Sequence, residues 1–150
     1  MRSGLVFMGV LLAACGGARG QVAPAPEADA SLRTFLQAAA DSNVNVMAEH
    51  WGTSRGSAAR TGKPDDYQKR VMIMQAFLKG TVNRIVGTDP VLGENNQRLL
   101  QVELTRNGCV AVVPFTMIRT GRGEWLVKEF NLELVPSPSR GCEGRDSTQH

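Results

Sequence analysis

The sequence predicts an α+β fold in which N-terminal helices pack on a curved antiparallel β-sheet. Two observations predict it: a three-stranded meander between Leu99 and Leu134, and apolar residues at helical spacing in the N-terminal half of the chain. The 150 residues have an average apolar content of 42%. That is enough for one domain whose core needs no metal or other staple.

The first hairpin of the meander turns at Asn107-Gly108. A two-residue type I′ turn needs positive φ at both positions, and Asn-Gly tolerates it. The turn fixes a register whose pairs are Arg106 with Cys109, Leu104 with Ala111, Val102 with Val113 and Leu100 with Phe115. These pairs share one apolar face, which a shift of one residue would destroy.

The second hairpin turns at residues 120–123. Its simplest register pairs Met117 with Leu126, Val113 with Phe130, Ala111 with Leu132 and Cys109 with Leu134. Pro114 lacks an N–H in mid-strand, so a ladder bond is missing there or the pairing is bulged. Lys128 falls opposite Phe115 on the apolar face, where an unpaired ammonium is costly. A bulge near Val127 or Lys128 would turn it outward; otherwise Lys128 is a polar group inside a pocket.

The outer face of the predicted sheet is half apolar. Its apolar members are Val110, Val112, Pro114, Ile118, Trp125 and Val127. Such a patch suits a sheet-to-sheet homodimer, or it is covered by a further strand or by the C-terminal tail.

Three helices precede the sheet. The first has Ser31 as a candidate N-cap, and the second covers Val44 to Trp51 and ends with Gly52 at its C′ position. Residues 52–63 have no apolar period and read as a loop, either a lid or a plain connection. Pro64 begins the third helix, which continues to Lys79; its wide apolar stripe predicts deep burial and comprises Tyr67, Val71, Met74 and Leu78, with Ile73 and Phe77 widening it. A short strand follows at residues 81–87.

The N-terminus has the features of an export signal. Arg2 precedes an apolar run that is too short to span a bilayer, so residues 1–14 read as a signal peptide. Leu12-Ala13-Ala14-Cys15 resembles the lipobox of bacterial lipoproteins, which implies lipidation of Cys15. The alternative is ordinary cleavage near Gly17-Ala18. Residues 15–29 are then the lipidated Cys and a flexible tether, 30–135 the folded domain and 136–150 a disordered tail.

The distribution of charge limits which partners the sequence supports, and the cysteines suggest a disulfide. The formal net charge is +3, and Lys and Arg are scattered rather than clustered, so the sequence indicates neither a nucleic-acid groove nor a polybasic membrane patch. In an oxidising compartment Cys109 and Cys142 are a candidate disulfide that would stabilise the fold by about 3 to 4 kcal/mol. The alternative is that both stay as free thiols.

The order of helices, strand and meander resembles that of the NTF2-like family, which has a cone-shaped α+β fold. The resemblance covers about residues 30–135 and rests on element order and register, without a sequence motif. It implies a pocket at the wide end of the cone and pairing through the outer sheet. Members include small-substrate isomerases, dehydratases and hydrolases as well as non-catalytic binding modules.

Candidate site residues follow from this comparison. The predicted pocket contains Trp51, Tyr67, Phe115 and Lys128, and the acid/base types that the family uses are present as Asp41, Glu49, His50 and Tyr67. His50 lies at a helix end, where we expect it at the domain rim as a helix C-terminal cation. No motif for a metal, a nucleotide or a Ser-His-Asp nucleophile is present, so no cofactor and no catalytic residue are assigned.

These features predict a membrane-anchored, periplasm-facing lipoprotein carrying a non-catalytic NTF2-like binding module. The residue after Cys15 is Gly16 and not the Asp that resembles an inner-membrane retention signal. This favours the outer membrane. The expected partners are the lipid anchor's membrane, a small apolar ligand or an envelope protein. Two alternatives remain: a small enzyme acting on an apolar substrate, with Asp41, His50 or Tyr67 as acid/base and Lys128 stabilising charge, and a structural subunit of an envelope complex.

Overall fold

The computed structural model describes residues 26–142. The predicted signal peptide, Cys15 and the tether up to residue 25 lie outside the described residues, as do residues 143–150. Within residues 26–142, no helix combines the length and the apolar composition that crossing a membrane requires. The predicted fold class is confirmed: helices and an open, four-stranded antiparallel sheet share one hydrophobic core.

Two helices form an antiparallel pair at the start of the fold. Helix α1 spans Pro26–Ala40 and helix α2 spans Val44–His50. The first turn of α1 carries two acids, which the helix dipole favours, so the helix starts earlier than predicted and Ser31 is an interior residue rather than an N-cap. The Asn43 side chain caps α2 by accepting a hydrogen bond from the Val46 N–H at 3.2 Å.

The predicted loop at residues 52–63 is wrong. Strands β1 (Gly52–Thr53) and β2 (Gly56–Ser57) pair as a ribbon, and a single-turn helix α3 (Ala58–Thr61) follows. Gly52 follows the C-cap residue Trp51, in the predicted C′ position, but it is a strand residue without the positive φ of a left-handed cap, and a Cβ there would lie 2.3 Å from the Gly56 carbonyl oxygen. The close approach of the β1 and β2 backbones and the Ser57 side chain, which caps α3, stabilise this segment. Neither feature requires regularly spaced apolar residues, so neither is visible as a pattern in the sequence.

Helix α4 spans Tyr67–Leu78. Val71, Met74 and Leu78 are buried, as the apolar stripe predicted, whereas Met72 and Ile73 are 59% and 42% exposed. The prediction that Ile73 widens the buried face is therefore wrong. The helix rests on the core along one side and presents apolar side chains to solvent on the other.

The main sheet has the order β3-β4-β5-β6, with strands Val82–Pro90, Gln97–Arg106, Cys109–Arg119 and Trp125–Phe130. The predicted first hairpin is confirmed, from Arg106 opposite Cys109 to Leu100 opposite Phe115. Asn107 and Gly108 have φ values of 49° and 79°, the positive values that the type I′ turn requires.

The predicted register of the second hairpin is wrong. Met117 pairs with Val127 and Thr116 with Glu129, so Lys128 is the extra residue of a bulge, one of the two positions at which a bulge was expected. The turn is one residue longer than assumed, because the Thr120 hydroxyl accepts hydrogen bonds from the backbone N–H groups of Arg122 and Glu124. Strand β6 ends opposite Phe115, so it stops before it would need an N–H from Pro114.

This register changes which residues face the core. Val127 is fully buried and Ile118 is 6% exposed, so neither contributes to an exposed outer patch as predicted. Val110 and Val112 are 56% and 50% exposed on that outer face. The homodimer through this face stays a prediction.

The C-terminal segment is held to the sheet. After a 3₁₀ turn at Leu132–Leu134, which replaces the predicted strand pairing of those residues, Pro136 is buried and its carbonyl accepts a hydrogen bond from the Arg106 guanidinium at 2.8 Å. A disulfide joins Cys109 to Cys142, with Cα atoms 5.3 Å apart. The fold therefore extends past the predicted boundary at Val135, to the point where Cys142 fastens the tail.

Candidate functional site

Helix α4 separates two grooves on the surface of the domain. The groove between α2 and α4 has a volume of about 480 Å³, and the groove between α4 and β6 about 350 Å³. Both volumes fall within the range of small-molecule sites. The two predicted pocket residues Tyr67 and Lys128 lie in different grooves.

The α2–α4 groove has apolar walls and one charged group. Tyr67 is half-buried in it, and the exposed Glu49 is the single charged residue among those that line it. Glu49 forms no ion pair with another described residue. The remaining lining residues are Val44, Asn45, Ala48, Ala59, Gln68, Val71 and Met72. This arrangement can accept an apolar group and leaves a carboxylate available at its side.

The α4–β6 groove contains Trp51 and the bulge at Lys128. The Trp51 indole N–H donates to the Lys128 carbonyl at 3.2 Å, so the bulge turns a backbone acceptor toward the groove. The Lys128 ammonium instead donates to the Gln97 side-chain oxygen at 3.3 Å and lies 3.8 Å from the Glu129 carboxylate. The Lys128 ammonium is therefore held by polar side chains of strands β4 and β6.

The interior of the fold is filled at Phe115. This ring is fully buried and stacks on Phe130 with centroids 4.4 Å apart, and Phe35 meets Phe130 edge-on at 6.3 Å. Aromatic packing of this kind occupies the space between helices and sheet. Trp51, Tyr67, Phe115 and Lys128 consequently do not form the single predicted pocket.

His50 takes part in a hydrogen-bond chain that crosses three elements. The Ser31 hydroxyl donates to the Trp125 carbonyl at 2.6 Å, and its oxygen lies 2.9 Å from His50 Nδ1. A hydroxyl has one proton to donate, so we assign the second bond as His50 Nδ1–H donating to Ser31. A nucleophilic serine needs a base that accepts its proton, which this His50 nitrogen does not do.

Burial lowers the pKa of His50, and the neighbouring Glu49 carboxylate opposes that shift. His50 lies in the last turn of α2 as predicted, but it is half-buried, and its lowered pKa favours the neutral ring over the predicted helix C-terminal cation. The sequence predicted its position at the end of α2 but not its contact with Ser31, which lies 19 residues earlier in the chain.

Of the candidate acid/base residues, Glu49 and Tyr67 line the same α2–α4 groove, and the other two lie apart from them. Asp41 is exposed and accepts hydrogen bonds from Gln37 at 3.0 and 3.1 Å, whereas Tyr67 lines the α2–α4 groove and His50 contacts Ser31. In the part of the chain from 26 to 142, no three His, Cys, Asp or Glu side chains lie close enough to hold a metal ion.

The sequence pattern does not place Met72 and Glu49 in one groove. Met72 lies beside the apolar stripe of α4, and Glu49 lies on a different helix. The sequence contains a weak signal for this groove. With Met72 and Ile73, helix α4 is apolar over a wider part of its circumference than the part that is buried.

No protein-family model, curated protein or solved structure matches the chain. The class that the fold defines is therefore a mixed α+β domain with an open antiparallel sheet. The resemblance to the NTF2-like family stays a prediction.

Proposed function

We propose that this chain is a lipid-anchored protein of the bacterial cell envelope whose folded domain is a non-catalytic, NTF2-like binding module. The groove between α2 and α4 is its binding site and takes an apolar group. The anchor is Cys15, at the end of the lipobox-like sequence Leu12–Cys15. The disulfide between Cys109 and Cys142 is compatible with an exported chain, because such bonds persist in oxidising compartments.

One observation supports the binding role. The space between the helices and the sheet is filled by packed side chains, while an apolar groove lies open beside α4. Phe35 and Phe115 have no exposed surface, yet Met72, at the edge of the groove, is 59% exposed. Exposed apolar surface of this kind is typical of a site where a ligand or partner binds. The groove offers more apolar wall than polar chemistry, which favours binding over catalysis.

The binding role is tested with the uncharged apolar dye Nile red and a substitution that fills the groove. Ala59 lines the groove and is exposed, so Ala59→Trp occupies its volume without disturbing the core. We expect saturable dye fluorescence with the unsubstituted chain and at least tenfold weaker binding to the variant. The matched control is Ala76→Trp, an exposed position on α4 that does not line this groove. Equal dye binding by both variants would place the apolar site elsewhere and contradict the proposal.

The anchor is tested separately by expression in a bacterium supplied with labelled fatty acid. The unsubstituted chain is expected to incorporate the label and Cys15→Ser to lose it. Label in the Cys15→Ser chain, or no label in the unsubstituted chain, would refute the lipoprotein assignment. Neither result would bear on the binding role proposed for the groove.

A further inference from the structure

The fold gathers arginines from distant parts of the sequence at one end of the domain. We name this region the turn end; it comprises residues 53–55 of the β1–β2 ribbon, 91–96 between β3 and β4, and 119–124 between β5 and β6. The Gly121 N–H donates to the Ser54 carbonyl at 3.4 Å, and the Arg119 N–H donates to the Asn96 carbonyl at 2.7 Å, so the three segments meet. The arginines in or beside them are Arg55, Arg60, Arg98, Arg119 and Arg122.

Three of these arginines are exposed and in no ion pair with another described residue, though Arg122 lies within electrostatic range of Glu124. Arg60 forms an ion pair with Glu124 at 2.9 Å, and Arg98 lies over the Trp125 ring at 5.9 Å. Arg55, Arg119 and Arg122 are exposed, and none is in an ion pair with another described residue. The carboxylates of the three segments are Glu94 and the already paired Glu124, so the positive charge at the two hairpin turns exceeds the negative.

The chain also enters the fold at the turn end. Ser31, near the start of α1, contacts Trp125 at the beginning of β6, and Phe35, one turn later, contacts Phe130 at its end. Helix α1 therefore runs alongside β6 and begins next to the turn at residues 120–124. Eleven peptide bonds separate Cys15 from Pro26. An extended chain covers at most about 3.6 Å per residue, so a lipid on Cys15 keeps the start of α1 within roughly 40 Å of the membrane.

We infer that the turn end docks on the anchoring membrane by binding lipid phosphate groups through Arg55, Arg119 and Arg122. The inference rests on the proposed lipid anchor. A guanidinium donates paired hydrogen bonds to phosphate oxygens, and basic side chains close to an anionic surface are attracted within about one Debye length. Glu27 and Asp29 add negative charge at the start of α1, so the contact belongs to the two hairpin turns and not to the helix.

The experiment places the full lipidated chain on vesicles and measures backbone hydrogen exchange. Vesicles of phosphatidylcholine alone are compared with vesicles containing equal parts of phosphatidylcholine and phosphatidylglycerol. We expect slower exchange at residues 53–55 and 119–124 on the anionic vesicles only, and loss of the difference at high salt. Each basic side chain near an anionic surface contributes about fivefold to binding, so replacing Arg55, Arg119 and Arg122 by Gln should weaken docking about a hundredfold.

The matched control removes three charges from other surfaces. The control variant carries Lys79→Gln, Arg84→Gln and Arg140→Gln, all at exposed residues outside the turn end. Arg84 lies in the opposite half of the sheet, and Arg140 lies beside the disulfide. Equal loss of protection in both triple variants would mean that net charge acts without a defined surface, and would overturn the inference. So would protection of the turn end by a single-stranded DNA 20-mer but not by anionic vesicles, which would reassign the arginines to nucleic acid.

The two proposals can fail separately. Flotation of the chain with uncharged vesicles reports the anchor, whereas the difference in exchange between uncharged and anionic vesicles reports docking. A chain that floats but shows no difference retains its anchor and refutes the docking surface. A chain that does not float, yet is protected by anionic vesicles, refutes the anchor and retains the surface.

Discussion

At the scale of single residues, His50 connects parts of the fold that are far apart in sequence. Its Nδ1–H group bonds to Ser31 on α1, and Ser31 bonds to the carbonyl of Trp125 on β6. A neutral imidazole fits this arrangement because it needs only one donor there, and partial burial disfavours the charged ring. Protonation of His50 therefore costs free energy in the folded chain that it does not cost in the unfolded chain.

The pH dependence of stability tests this role. Burial holds the pKa of His50 below its ordinary value of 6.5. As pH falls through 6.5 toward the folded-state pKa, the unfolded chain binds more protons than the folded chain, so the free energy of unfolding decreases; above 6.5 the full stability is present. In His50→Asn, whose amide can still donate to Ser31, we expect a smaller loss of stability between about pH 7.5 and about pH 5.5 in urea unfolding. The second histidine, His150, is common to both chains and cancels in the comparison. An equal loss in both chains would contradict the role assigned to His50.

At the scale of elements, the short β1–β2 ribbon depends on Gly52. Its backbone approaches strand β2 so closely that a Cβ would lie 2.3 Å from the Gly56 carbonyl oxygen and 2.8 Å from the Ser57 Cα. Both are backbone atoms, which cannot move aside as a flexible side chain can. We expect Gly52→Ala to lower the free energy of unfolding by about 1 to 3 kcal/mol, as overpacking does elsewhere.

Gly121→Ala is the matched control for Gly52→Ala. No heavy atom lies within 4 Å of a Cβ at that turn position, so stability should change by less than about 0.5 kcal/mol. Thermal unfolding of the two variants beside the unsubstituted chain makes the comparison. A Gly52→Ala chain as stable as Gly121→Ala would show that the ribbon can open without cost.

The two hairpins of the main sheet differ in how well their registers can be predicted from the sequence. The β4–β5 register follows from Asn107-Gly108, because a two-residue turn with positive φ fixes which residues face each other. The β5–β6 register could not be derived, since the Thr120 hydroxyl organises a longer turn and the bulge at Lys128 adds a further shift. Side-chain hydrogen bonds within turns have no periodic signature, so neither the length of such a turn nor the register of the strand that follows it can be derived from apolar spacing.

The candidate site belongs to the scale of the whole molecule, and it was predicted less well than the fold. Tyr67 lines the α2–α4 groove and Lys128 the α4–β6 groove, whereas Phe115 fills the core. The arginines of the turn end form no cluster in the sequence because they are scattered along the chain. Apolar periodicity specifies which face of an element is buried, whereas a site forms where several elements meet, and only the packed fold determines that.

Arg106 fastens the C-terminal segment to the rest of the molecule together with the disulfide. Arg106 is 6% exposed, and its guanidinium donates to the carbonyls of Phe77 and Lys79 at the end of α4 and to the carbonyl of Pro136. Burial lowers the pKa of Arg106, and the negative end of the α4 dipole helps to compensate its charge. The tail is thus attached at two points, Pro136 and Cys142, which should depend on each other.

A double-mutant cycle in urea unfolding measures that dependence. Replacing Cys109 and Cys142 by Ala should cost about 3 to 4 kcal/mol, because their 33-residue separation leaves a long loop unconstrained in the unfolded chain. Arg106→Met should cost about 2 to 4 kcal/mol, because buried carbonyls lose their donor. Once the disulfide is gone the tail can leave, and with it the bond from Arg106 to Pro136. Arg106→Met should then cost about 1 kcal/mol less than in the disulfide-bonded chain, the worth of one hydrogen bond. Strict additivity would mean that Pro136 stays in place without the disulfide, so that the tail is fastened by Arg106 independently of Cys142.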